Sequence, residues 1–181
     1  SDNTDDLIEI FSKYFPVHYI RQEDQGYRLS EIRNKGVQAA NFEQIIILDC
    51  DMLPLPTLVE SYMKYAHVSP RAVLIGGRRY VNTDDLSYVD ILENIDVALS
   101  LPSLRTDTGK IPTDDLPPSE DWRYKIYRDT NFLKNSKYPF RAFCGGNVCF
   151  HKTLIDTVGG FDEDFAAWGA EDTEFGFRVY N

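Results

Sequence analysis

Two aspartates one residue apart, Asp49 and Asp51, close the apolar run Ile45-Ile46-Ile47-Leu48. Four aliphatic side chains, three of them β-branched, predict a strand buried on both faces, with the acids at its carboxyl end. In open α/β sheets, ligands bind in the crevice outside those ends. Two carboxylates so close repel each other unless they share a cation, and a hard divalent ion held by one or two carboxylates plus substrate phosphates meets that need. The pattern points to a metal-diphosphate site. Acidic turns that are merely solvated also follow strands, so the pair gains weight only from the rest of the chain.

A second acidic pair, Glu171-Asp172, comes directly after Trp168-Gly169-Ala170 in the run Phe161 to Arg178. Acids in the first turn of a helix are favoured by its macrodipole, which accounts for their charge. It does not account for the tryptophan and glycine ahead of them, which together offer a flat aromatic surface and an open backbone suited to a sugar ring. A carboxylate beside a sugar hydroxyl has the chemistry of a general base. Arg33 precedes the Ile45 strand and reads equally well as a surface cation, while Arg78-Arg79 follow the next apolar run and could approach a diphosphate but read more readily as paired surface cations. His18, His67 and His151 lack metal-ligand spacing and are expected to be structural.

The elements that would position these groups alternate. Apolar spacing predicts helices over 4–15, 28–41 and 57–66, and strands at 17–20, 45–48 and 72–76. That order implies an α/β sheet with helical crossovers. From Asn82 to Lys137 the chain turns rich in Asp, Pro, Thr and aromatics, with short helical stretches at 88–99 and 122–127, and Asp114-Asp115 through Pro117-Pro118 reads as solvated loop. A strand interrupted by Gly145-Gly146 is expected over 142–150. Short helices follow at 153–158 and 170–180.

With 181 residues the chain is expected to form one domain, 1–181. Its 43% hydrophobic and 27% charged residues are those of a globular protein, and no run approaches the ~18 apolar residues of a membrane span. A net charge of -10 argues against nucleic acid as a partner, because both would repel. Three cysteines without a CxxC suggest neither a disulfide framework nor a zinc site. A reducing cytoplasm is the expected compartment, with peripheral attachment to the inner membrane through other parts of a parent protein.

Tyr19-Ile20-Arg21-Gln22, Arg33-Asn34, Leu48-Asp49-Cys50-Asp51-Met52, Phe143-Cys144-Gly145-Gly146-Asn147 and Trp168 to Gly176, in this order, resemble the first catalytic domain of bacterial chondroitin and hyaluronan polymerases. These are family-2 glycosyltransferases of the GT-A fold. The resemblance implies a Rossmann-like, mixed but mainly parallel sheet with helices on both faces, here lacking its first strand, and an inverting transfer of a sugar from a UDP-sugar donor to a saccharide acceptor. N-acetylhexosamines are the donor sugars it suggests. By the same resemblance Asp51 and Asp49 would hold Mn2+ or Mg2+, and Asp49 would also reach the ribose side of UDP. Arg33, Gly145, Gly146 and Asn147 would lie at the donor. Trp168 and Glu171 would bind the acceptor, and either Asp172 or Glu171 would be the base, with Asp172 preferred. Relative to that family the chain looks like a fragment, without the first nucleotide-binding strand and a C-terminal metal histidine, so an exposed sheet edge could pair with another copy as a homo-oligomer. Two alternatives stay open: a galactosyltransferase-like enzyme, and a non-catalytic saccharide- or nucleotide-binding module of the same fold.

Overall fold

The computed structural model describes residues 4–102 and 121–181; the acidic Asp114 to Pro118 run lies outside them. Helix α1 (Thr4–Phe11) buries none of its residues. Helix α2 (Leu29–Ala39) buries Ser30, Arg33 and Val37, a spacing of three and four that defines one face. Strand β1 (Gln44–Leu48), helix α3 (Leu58–Ala66) and strand β2 (Val73–Ile75) follow. Two short helices, α4 (Tyr88–Glu93) and α5 (Ile95–Leu99), replace the single helical stretch expected there, because Asn94 leaves helical geometry and caps α5 through the Asp96 amide. After α6 (Arg123–Asp129) a 3-10 turn over Pro139–Ala142 leads to β3 (Asn147–His151), α7 (Thr153–Val158) and α8 (Glu171–Tyr180).

The described sheet has the order β1-β3-β2, and β3 is antiparallel to both neighbours. This corrects the expectation of a mainly parallel sheet. β1 and β2 do run in the same direction, joined by the α3 crossover, but β3 enters between them from the far end of the chain. Apolar runs report burial and carry no information on strand direction. The strand expected at 17–20 belongs to no ladder among the described residues, and the one expected over 142–150 begins only at Asn147.

Strand alternation sorts the side chains into two layers. Ile45 lies opposite Phe150, Ile47 opposite Val148, and Val73 and Ile75 join the same face. That face packs with Val37, Phe143, Leu154, Phe161 and Phe175 as the core. The opposite face carries Asn147 and meets α3, whose Tyr62 hydroxyl donates to Asn147 Oδ1 at 2.6 Å. Helices therefore cover both faces, as the family resemblance implies.

Phe175 anchors α8 in that core, stacked on Phe161 at 4.3 Å and tilted against Phe143 at 5.4 Å. The next residue must be small: a Cβ on Gly176 would come within 2.8 Å of Phe143 Cβ and 2.9 Å of the Phe140 carbonyl oxygen. Gly176→Ala is expected to lower stability by about 1–3 kcal/mol, as overpacking does. Urea unfolding tests this, and a midpoint equal to that of the natural chain would contradict the packing described.

Candidate active site

The buried face of α2 carries an arginine into a cluster of acids. Arg33 is 8% exposed. Its Nη1 donates to Asp172 Oδ1 at 2.6 Å and lies 3.8 Å from Glu171 Oε1, while Nη2 reaches Asp49 Oδ1 at 3.3 Å. The guanidinium also lies over the Phe161 ring, 5.4 Å from its centre. One cation thus faces three carboxylates from two ends of the chain, the turn after β1 and the start of α8. The electrostatic requirement is plain, since two acids buried side by side need a counter-charge.

Each acid is held differently. Asp172 takes the Gly145 amide on Oδ2 at 2.9 Å, so both of its oxygens are fixed. Burial lifts its carboxyl above the usual aspartate range; Arg33 and the Gly145 amide pull it back, and Glu171 adds to the rise. Glu171 is 4% exposed, accepts from the Tyr27 hydroxyl at 3.1 Å, and has Oε2 buried with no partner among the described residues. Burial and this glutamate push the Tyr27 phenol up to about 12, so it stays a neutral donor at ordinary pH. Asp49 is more open, its side chain 43% exposed. Its backbone amide donates to Gly146 O at 3.1 Å, and its own carbonyl accepts from Met52, which folds Asp49 to Met52 into a turn. Asp51, on that turn, is exposed.

The two glycines lie between these groups. A Cβ on Gly145 would come within 2.5 Å of Arg33 Nη2 and 2.6 Å of Asp172 Oδ1, and one on Gly146 within 2.7 Å of Asp49 Oδ2. Any other residue would have to displace the ion pairs themselves. Asn147, expected at the donor, is instead enclosed in the sheet: Oδ1 accepts from Tyr62 and Nδ2 donates to Gly77 O at 3.2 Å. Trp168 is 85% exposed. It reaches α8 through Gly169 at φ +100° and Ala170 at φ +76°, a left-handed pair unusual for alanine. Tyr27 and Asn34 also belong to this cluster. Asn34 shows its part in the Arg33-Asn34 pair, since it exchanges hydrogen bonds with the Phe161 backbone, N–H to Oδ1 and Nδ2 to O, each at 2.8 Å, and so pins the approach to α8. Tyr27 carries no local signal, being 144 residues from its partner.

No group of three or more His, Cys, Asp or Glu side chains is placed to hold a metal among the described residues. Asp49 and Asp51 are two carboxylates on one turn, and Asp49 Oδ2 lies outside the Arg33 contact, so a hard divalent ion there would need further oxygen ligands.

Comparison with known proteins identifies the family. The model of "Glycosyl transferase family 2" matches residues 1–155, and that of "N-terminal domain of galactosyltransferase" matches 130–181. The chain therefore belongs to glycosyl transferase family 2, which implies the GT-A, Rossmann-like α/β fold. It is similar to chondroitin synthase from Escherichia coli, 38% identical over 99% of this chain and 26% of the relative. A hyaluronan synthase from Pasteurella multocida is 37% identical over 97% of this chain and 18% of its own length. Validoxylamine A glucosyltransferase from Streptomyces hygroscopicus subsp. jinggangensis (strain 5008) is 28% identical over 99% of the chain and 42% of its own length. The chain thus spans about a quarter or less of the two synthases and under half of the glucosyltransferase. No helix among the described residues is long and apolar enough to cross a membrane.

Removing the shared cation should be felt in folding as well as in chemistry. Arg33→Met leaves buried acids without their counter-charge and is expected to cost about 3–5 kcal/mol, read as a lowered urea midpoint near neutral pH. A change below about 1 kcal/mol would contradict the burial of this cluster.

Proposed function

We propose that the chain is the sugar-transferring domain of a metal-dependent, inverting glycosyltransferase. It moves an N-acetylhexosamine from a UDP-sugar to a saccharide hydroxyl in polysaccharide synthesis. The observation that carries this reading is the Arg33 bridge, which ties the aspartate at the nucleotide end of the sheet to the acids at the start of α8. Membership of family 2 and the names of the two synthases support the same reaction class.

In this reading Asp51 and Asp49 would hold Mn2+ or Mg2+. The ion supplies Lewis-acid stabilisation for the leaving UDP. Gly145 and Gly146 let the backbone approach the donor sugar, and the exposed Trp168 offers its ring to the acceptor. Glu171 orients the acceptor while its other oxygen holds Tyr27. Asp172 is the base: its carboxylate takes the proton of the acceptor hydroxyl as that oxygen attacks the anomeric carbon and the bond to the diphosphate oxygen breaks. Arg33 and the Gly145 amide fix the direction in which Asp172 presents its oxygens. A base held in this way is typically worth about 10²–10⁴ in rate. A galactosyltransferase-like enzyme is the second reading, favoured by the match of residues 130–181.

Two measurements test the assignment. Asp51→Ala is expected to abolish manganese-dependent UDP-sugar binding in calorimetry while leaving thermal stability near that of the natural chain; equal affinity in both would overturn it. Transfer should rise with pH along a limb set by Asp172, above the ordinary aspartate range because burial raises that carboxyl. Only the ionised form accepts a proton, so activity is lost as pH falls through that value. Asp172→Asn should leave donor binding and remove transfer, and a variant that retained the same limb would transfer the role of base to Glu171.

A further inference from the structure

Arg78 and Arg79 are adjacent and look alike in the sequence, yet the fold treats them differently. Arg79 donates through Nη1 to Leu101 O at 2.8 Å and through Nη2 to Leu99 O at 2.6 Å, closing the end of α5. Arg78 turns the other way, into the site. Its side chain is 15% exposed, and its Nε donates to Asp121 Oδ2 at 3.4 Å.

Asp121 has little charge to spare for it. This aspartate is fully buried and already bound by Arg123, also fully buried, through Nε at 2.6 Å and through Nη2. Two guanidinium groups on one carboxylate leave an excess of positive charge in a poorly solvated place. Asp49, across Gly146, is the nearest further acid and forms no ion pair with Arg78, so the outer end of this guanidinium is left to engage an anion of its own. Among the described residues no acceptor takes a hydrogen bond from Nη1 or Nη2 of Arg78. The direction of that free end is set by Gly146: a Cβ there would lie 3.3 Å from Arg78 Nη1 and 2.7 Å from Asp49 Oδ2. Arg78 and Asp49 therefore flank the same glycine from beyond the ends of different strands, β2 and β1, without forming an ion pair.

We propose that Arg78 contacts the diphosphate of the nucleotide sugar, and that Asp121 is the positioning residue which aims it. The inference rests on the proposed function and adds a cationic contact on the β2 side of the donor. A forked, always charged guanidinium is suited to diphosphate oxygens and would offset the charge that builds on UDP as it leaves.

The test is calorimetric titration of the chain with UDP and with UMP, in manganese, for the natural chain and for Arg78→Gln, Arg78→Lys and Asp51→Ala. Arg78→Gln is expected to bind UDP about tenfold more weakly or worse and to lose most of the preference for UDP over UMP. Arg78→Lys keeps the charge but not the fork and should fall between. Unchanged UDP affinity in Arg78→Gln, or an equal loss for UDP and UMP, overturns the inference, the second because a merely structural role would weaken both alike. Should Arg78→Gln fail to fold, Arg78→Lys decides by the same ratio, and an unchanged ratio overturns it. If the natural chain binds UDP and Asp51→Ala does not, a failure at Arg78 leaves the proposed function standing. If the natural chain binds no UDP, both fall.

Discussion

One guanidinium against three carboxylates is the constraint around which the site is organised. Arg33 cannot be placed without burying part of α2, and it cannot be buried without Asp49 and Asp172 reaching it from the β1 turn and from α8. The cluster remains short of positive charge, because Glu171 lies at 3.8 Å and leans on a neutral phenol instead. The open side of this acidic excess is at Asp49 and Asp51, and that is where a cation bound to an incoming diphosphate would restore balance.

The aromatic core serves the same geometry. Phe161 lies under the Arg33 guanidinium and stacks on Phe175, while Arg178 ties the carbonyls of Val158 and Gly160 to α8 through hydrogen bonds of 2.5 and 2.7 Å. Asn34 fastens Phe161 to α2. The start of α8 is thus held by packing behind it and hydrogen bonds on both flanks, which is what keeps Glu171 and Asp172 at fixed distances from the donor side. A site carried on rigid elements loses little freedom when substrates bind.

Much of this was legible in the chain. The Ile45 run ending in two acids is where β1 and its turn lie, and the acids after Trp168 do open the last helix. Helix positions survived because a period of 3.6 is read locally. Strand direction was lost, since β3 comes some hundred residues after β1 and hydrophobicity says nothing of which way it enters. The partners of Asn147 are hidden for a related reason: beside two glycines it resembles a donor contact, and only the ladder shows its amide bonded to Tyr62 and Gly77. From the sequence Arg33 is a cation near the nucleotide. Its larger part, as a counter-ion shared by distant acids, needs the fold to be visible.

The central claim is that Asp49 and Asp172 act on one cation, and a double-mutant cycle tests it most directly. Asp49→Asn and Asp172→Asn, alone and together, are compared by urea unfolding near neutral pH. Sharing Arg33 predicts that the two effects couple by about 1 kcal/mol or more. Effects that add to within about 0.3 kcal/mol would mean that the two acids belong to separate sites, and the account would be contradicted.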